Sequence, residues 1–312
     1  MIRTSTFRLE ESGFAVYALR SHLVEVRVAD LGAKIISLKN LETGREWMWR
    51  PPGPLRLFRN EPGDAFADSP LVGADECFPT ISPCEWMGRS LPDHGEIWGI
   101  PCTIEEQAWD RGFIKTSAHT KTSPFMFERV VTLQDNEVRL DYRVKSLSRK
   151  KEMFLWSLHP LLEIEDGDRI ELPRNTRSIR IESAEGLPDT RHGSVRPWPE
   201  PVAGVDLESM DFGVYGTGFV KLFAESLNEG RAALSNSRSG ERLVFEFDTQ
   251  RNGALGVWIN RGGWHGYEHV ALEPTNLASD SLAVGAHRDP HTISLPPEGE
   301  KTWTIKLRLE RL

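Results

Sequence analysis

Apolar and polar residues alternate along most of this chain. In "EVRLDYRVKSL", Val138, Leu140, Tyr142 and Val144 alternate with Arg139, Asp141, Arg143 and Lys145. In "RLVFEFD" the same holds for Leu243, Phe245 and Phe247, in "TWTIKLRLERL" for Trp303, Ile305, Leu307 and Leu309, and in "LVEVRVAD" for Val24, Val26 and Val28. A two-residue period places alternate side chains on opposite faces of a strand, one face on a core and the other in water. The runs are separated by "LETGRE", "LQDNEV", "NSRSGE" and "LPPEGE", whose Gly, Pro, Asn and Asp suit tight turns. No long stretch keeps a 3.6-residue period with helix caps. The pattern predicts an all-β protein, a large antiparallel β-sandwich or barrel. Without a repeat or a low-complexity linker, residues 1–312 read as one domain.

Two segments break the alternation. Residues 50–105 and 183–215 are rich in Pro and Gly but also in aromatic residues, which fits structured loops on a β scaffold, where binding residues gather. Two strands also carry polar residues where apolar ones are expected. In "EMFLWSLHPLLEI", Leu155, Ser157, His159 and Leu161 share a face, and a histidine in so apolar a strand needs a hydrogen-bond partner or a cavity. In "HVALEPTNLASDSL", His269, Ala271 and Glu273 share a face. A carboxylate at the inner end of such a strand is either a capping group or a base with a raised pKa.

Composition narrows the function. The chain has 38 Lys and Arg against 46 Asp and Glu, a formal charge of −8, which argues against nucleic acid and anionic membrane as partners. Cys77, Cys84 and Cys102 have no C-x-x-C spacing and fit reduced thiols better than a disulfide framework. The first residues, "MIRTSTFRLEESG", lack the apolar region of a signal peptide, and no uncharged run reaches the ~20 residues a membrane helix needs. A soluble, cytoplasmic protein is expected.

Some motifs fall away. "GVYGTG" is not followed by a helix, a Walker Lys-Ser pair is missing, and there is no G-x-S-x-G elbow. "WHGYEH" brings His265, Glu268 and His269 close in sequence, but strand spacing holds the two histidines apart and its glycines oppose a helix, so no metal is expected. Ten tryptophans are present, and Trp98, Trp258 and Trp264 lie near loops or polar residues, as core fillers or as platforms for sugar rings. "LPDHGEIWG" places His94 in an Asp-His-Gly turn, which by itself is either a solvated loop or the corner of a site.

Taken in chain order, "GADECFPTISP", "PDHGEIW", "WSLHPLLEI", "MDFGVYG" and "VALEPTN" resemble the aldose 1-epimerase (galactose mutarotase-like) family. The likeness spans residues from about 20 to 310, and its proline-rich stretch before the His-Gly turn is nearer the hexose-6-phosphate mutarotase-like branch. It implies a β-supersandwich with a sugar in an open cleft, and interconversion of α and β anomers through the open-chain aldehyde with no metal or organic cofactor. Carried over residue by residue, His159 matches the general acid at the ring oxygen and Glu273 the base at the anomeric hydroxyl. His94 matches the turn histidine that bonds the sugar, and Asp211 the loop carboxylate that holds a ring hydroxyl.

The chain also departs from the branch it resembles. Glu96, Ile97 and Trp98 follow the His-Gly turn where that branch usually carries an arginine. Glu96 and Trp98, with Trp258, are therefore taken as substrate contacts, and a carboxylate there would repel a phosphate. Arg59 and Arg89 are possible replacements for the missing arginine. Asp75 and Glu76 either bond sugar hydroxyls or end a strand. The expected partner is an unphosphorylated sugar. The alternatives are a carbohydrate-binding or sensing protein on the same fold, and an isomerase or lyase using the same acid–base pair on another sugar derivative. The sequence leaves the sugar and the oligomeric state open.

Overall fold

The computed structural model describes residues 4–61, 63–174, 176–188, 190–211, 217–288 and 294–312. Among these residues the chain forms two large antiparallel sheets. The larger has 11 strands, ordered Ser5–Glu11, Phe14–Arg20, Val24–Ala29, Ile35–Asn40, Ala74–Cys77, Ser157–Leu162, Glu268–Thr275, Ala254–Arg261, Gly218–Glu225, Ser178–Glu185 and Val195–Pro197. The second has eight: Asp168–Glu171, Arg231–Asn236, Glu241–Phe247, Glu300–Arg311, Glu137–Ser146, Phe125–Gln134, Ile114–His119 and Thr103–Ile104.

Three of the alternating runs become strands of the second sheet, and the run at Val24–Ala29 joins the larger one. Val138, Leu140, Tyr142 and Val144 are buried on strand Glu137–Ser146, where Leu140 faces Ile305 and Tyr142 faces Trp303 across the ladder. The "LQDNEV" turn is a two-residue hairpin loop, with Gln134 paired to Glu137 and Asp135 in the left-handed region at φ 51°. These inward residues meet Leu158, Val220, Leu222, Val257, Ile259, Val270 and Leu272 of the larger sheet in one apolar core. Burying each such side chain stabilises the fold by roughly 1.5–3 kcal/mol.

Three local features depart from the sequence pattern. The histidine-bearing strand begins at Ser157, and Phe154, Leu155 and Trp156 lie before it, buried all the same. The glutamate strand does not stop at Pro274 but continues to Thr275. Among the described residues two short α-helices occur, Glu106–Asp110 and Leu282–Gly285, too brief for a 3.6 period to register. No helix among the described residues is long and apolar enough to cross a membrane.

Strand alternation decides where the cleft lies. With Leu158, Leu272, Val257 and Leu222 facing the core, the residues between them point the other way. On this outer face the central strands carry His159, Glu273, Trp258 and Lys221, under the long loops at 41–73 and 78–102.

Candidate active site

The cleft offers about 210 Å³ of free space and is lined by Phe66, His94, His159, Lys221, Trp258 and Asp280 among others. That is room for a small polar molecule.

Its floor is set by strand register. Ser157 pairs with Thr275 and Leu161 with Ala271, which brings His159 beside Glu273; on the other side His159 faces Asp75. Nε2 of His159 lies 3.6 Å from Oε1 of Glu273. Both residues are buried, and Oε1 of Glu273 and Nδ1 of His159 make no hydrogen bond. Buried polar atoms are nearly always paired, so two unpaired ones here are open to a partner; His159 lines the cleft and Glu273, with no exposed surface, lies directly behind it. Burial above all, helped by the charges of Lys221 and His94, pushes the His159 imidazole well below its usual range.

The other oxygen of Glu273 is taken. Lys221 reaches from strand Gly218–Glu225 to donate to Oε2, and its ammonium also stands 3.7 Å from Oδ1 of Asp280. Gly256, directly opposite Glu273, leaves the intervening strand bare: a Cβ there would come within 3.2 Å of Oε2. Burial opposes the charge on Lys221, but Glu273 and Asp280 outweigh it and hold the ammonium above its usual range. Burial pushes the Asp280 carboxyl up to about 6, against the pull of Lys221.

The His-Gly turn forms one wall. Gly95 has φ 78°, and a Cβ on it would sit 2.1 Å from the carbonyl oxygen of Phe78, so only glycine fits. His94, itself at φ 55°, is held by its Nδ1 against Oδ1 of Asp93 at 2.8 Å and by Phe66, stacked on its ring at 3.7 Å. The other oxygen of Asp93 accepts the Phe66 N–H at 3.0 Å. Nε2 of His94 is then the nitrogen left for a ligand, with the ring centre 5.5 Å from that of His159. Trp258 forms the opposite wall. Its Nε1 donates to Nε2 of His269 at 3.1 Å, which spends the polar edge of the indole. Burial drives the His269 imidazole down to about 3, so it stays neutral.

His94, His159, Glu273 and Trp258 thus come together, and three other expected contacts do not. Glu96 points away from the cleft, because the chain reverses at Gly95. Its carboxylate accepts the N–H groups of Lys121, Thr122 and Ser123, at 2.7, 2.6 and 3.0 Å, and the Ser123 hydroxyl, so it clamps a surface turn. Trp98 is buried behind the turn, donating to the carbonyl of Asp93 at 2.9 Å and standing edge-on to Phe66. Asp211 lies away from the cleft, where Oδ1 accepts the Gly167 N–H at 2.9 Å and its carbonyl accepts from Arg261. The rest of its motif, residues 212–216, is outside the described residues. Arg89 is committed to a two-pronged pair with Glu152, at 2.8 and 3.0 Å. Arg59 is exposed and does not line the cleft.

Sequence reasoning missed Lys221, Asp280 and Phe66. Lys221 left a trace: in "GFVKLFAE" it shares a face with Phe219 and Phe223, a cation on the otherwise apolar face of a strand. Asp280 lies in a loop and Phe66 in a single 3-10 turn, Phe66–Asp68, and neither gives such a periodic signal.

Structural comparison supplies the wider context. A galactose mutarotase-like protein from Clostridium acetobutylicum superimposes with a TM-score of 0.70 at 13% identity, covering 100% of this chain and 99% of that one. The fold is that of the galactose mutarotase-like proteins. A galactose mutarotase-like protein from Lactobacillus casei gives 0.65 at 17% identity, with 98% and 100% covered. A protein of Escherichia coli K12, named for a proposed aldose 1-epimerase activity, gives 0.65 at 16% identity, with 99% and 100% covered. The mutarotase-like neighbours do not distinguish the two branches. No family model matches the sequence, and no curated protein sequence matches it.

Proposed function

We propose that the chain is an aldose 1-epimerase-like isomerase that interconverts the α and β anomers of an unphosphorylated sugar. The observation that carries this reading is the buried His159–Glu273 pair, 3.6 Å apart, with His159 lining the cleft and Glu273 just beneath it. Ring opening needs a proton taken from O1 and one delivered to O5. Glu273 removes the O1 proton through its unpartnered Oε1 as C1=O1 forms. His159 gives its Nε2 proton to O5 as C1–O5 breaks; burial makes its protonated form scarce at neutral pH and correspondingly strong as an acid. The pair carries one dissociable proton before and after, and re-closure on the other face of C1 reverses both transfers. These steps require no metal or organic cofactor.

His94 is assigned to the sugar oxygens near O5, and Trp258 to the apolar face of the ring. Support for an unphosphorylated substrate comes from the charges in the cleft. Its described lining includes Asp93 and Asp280 and no arginine, and its lysine already faces two carboxylates.

Saturation-transfer NMR over a panel of free aldoses tests the proposal. The wild-type chain is expected to accelerate exchange between anomers of at least one sugar, and His159→Ala and Glu273→Gln to abolish that acceleration while still binding it. If no sugar exchanges faster with the wild type, the enzyme reading fails. Binding without exchange would then support the carbohydrate-binding alternative.

A further inference from the structure

We propose that Lys221 is a positioning residue of the acid–base pair: bonded to Oε2 of Glu273 and set against Asp280, it turns Oε1 toward His159 and governs how tightly the pair holds its single proton. The inference rests on the function proposed above and adds to it a third residue, outside the pattern that the sequence resembles.

The geometry carries the argument. A carboxylate with no exposed surface is strongly disfavoured unless a counter-charge reaches it. For Glu273 the bonded counter-charge is Lys221, whose own side chain is 5% exposed. The bond goes to one oxygen only and leaves the other facing the imidazole. Lys221 is itself shared, since Asp280 stands on its far side at 3.7 Å. The order along the floor is therefore His159, Glu273, Lys221, Asp280.

Other groups face this row from every neighbouring element. Asp75 adjoins His159 from the next strand but is neutralised by the buried Lys34. His94 and Asp93 face it from the turn, and His269 from the strand of Glu273. Cys77 lies near both Glu273 and Lys221, and Glu182 acts on Asp280. The Phe223 ring lies 5.5 Å from the ammonium. Against this background the position of Lys221 has a definite sign. A cation beside the pair disfavours the added proton, and an anion beyond it partly cancels that effect.

The experiment is a pH profile of kcat/KM for Lys221→Met, Lys221→Gln, Lys221→Arg and Asp280→Asn. It is paired with a sugar-free NMR titration of the His159 ring in each variant. Removing the charge, as Met or Gln, is expected to move both limbs of the profile to higher pH by about one to three units, and the His159 titration with them. Arg keeps the charge and is expected to keep the limbs in place. Asp280→Asn is expected to move them the opposite way, to lower pH, which also tests the proposal if the Met and Gln variants fail to fold.

Limbs that stay in place while the maximum falls would reduce Lys221 to a packing role and overturn the proposal. So would an Asn variant that moves them upward. If the wild type accelerates no sugar, the enzyme reading fails by itself, and the sugar-free titration still decides for or against Lys221.

Discussion

Asp75 and Glu76 are neighbours on one short strand, both with no exposed surface, and they differ in what surrounds them. Glu76 points into the sandwich, where Arg129 and Tyr142 donate to Oε1 at 2.6 and 3.1 Å and the Trp156 indole donates to Oε2 at 2.8 Å. Both oxygens are satisfied, and nothing is left for a ligand. Asp75 points to the cleft side, beside His159, and is held by Lys34 through one oxygen while Oδ2 has no partner. Glu273 repeats that arrangement on the other side of His159: one oxygen on a lysine, one oxygen unpaired. A saturated buried network specifies packing, whereas a half-saturated one keeps hydrogen-bonding capacity in reserve. Both are buried ion-pair members inside the strand; Glu76 has no oxygen left for a sugar, and Asp75 keeps one.

That contrast can be broken at either end. The largest effect is expected on the open side, where His159→Ala or Glu273→Gln should lower the rate of anomer exchange by roughly 10²–10⁴-fold each, with unfolding midpoints little changed. On the saturated side the pattern should invert. Glu76→Ala strands the Arg129 guanidinium and should cost about 3–5 kcal/mol in denaturant unfolding, while the pH profile of the surviving activity stays in place.

A smaller effect concerns pH and stability. His269 titrates near 3 when folded and near its ordinary 6.5 when unfolded, so between these values the unfolded chain binds the extra proton. The stability it contributes is present above about 6.5 and is lost as pH falls toward 3, by about 1.4 kcal/mol per pH unit. Comparing the unfolding free energies of wild type and His269→Gln between pH 6 and pH 4 isolates this slope, which the variant should lack. The smallest effect is expected at Asp211. Its removal by alanine should leave exchange unchanged and alter stability by about 0.5 kcal/mol, and a large loss of turnover there would restore it to the site.

Much of the scaffold was legible because strands report themselves through a local two-residue period. The runs at Val138–Val144, Leu243–Phe247 and Trp303–Leu309 each became a strand with the expected face buried. His159 and Glu273 stood out for the same reason, as polar residues within otherwise apolar strands. The turn at His94 was legible through Gly95, whose backbone angle and contact with Phe78 admit no side chain. Glu96, Trp98 and Asp211 were misread as substrate contacts because proximity in sequence to a site residue does not say which way a loop side chain points. Glu96 follows a chain reversal, Trp98 packs behind the turn, and Asp211 serves Gly167 and Arg261 instead.

By itself, then, the sequence determined the class of fold and marked His159 and Glu273 as polar residues in apolar strands, since both depend on periodicity within single strands; their roles came from the family resemblance. Only the tertiary structure decided which charges meet. The pairing of Lys221 with Glu273, of Lys34 with Asp75 and of Arg129 with Glu76 joins positions 52, 41 and 53 residues apart. Such pairs are set by strand order and register across the sheets, which no local pattern encodes. They separate an acid–base pair on the cleft face of the large sheet from a sealed structural pair on its core face.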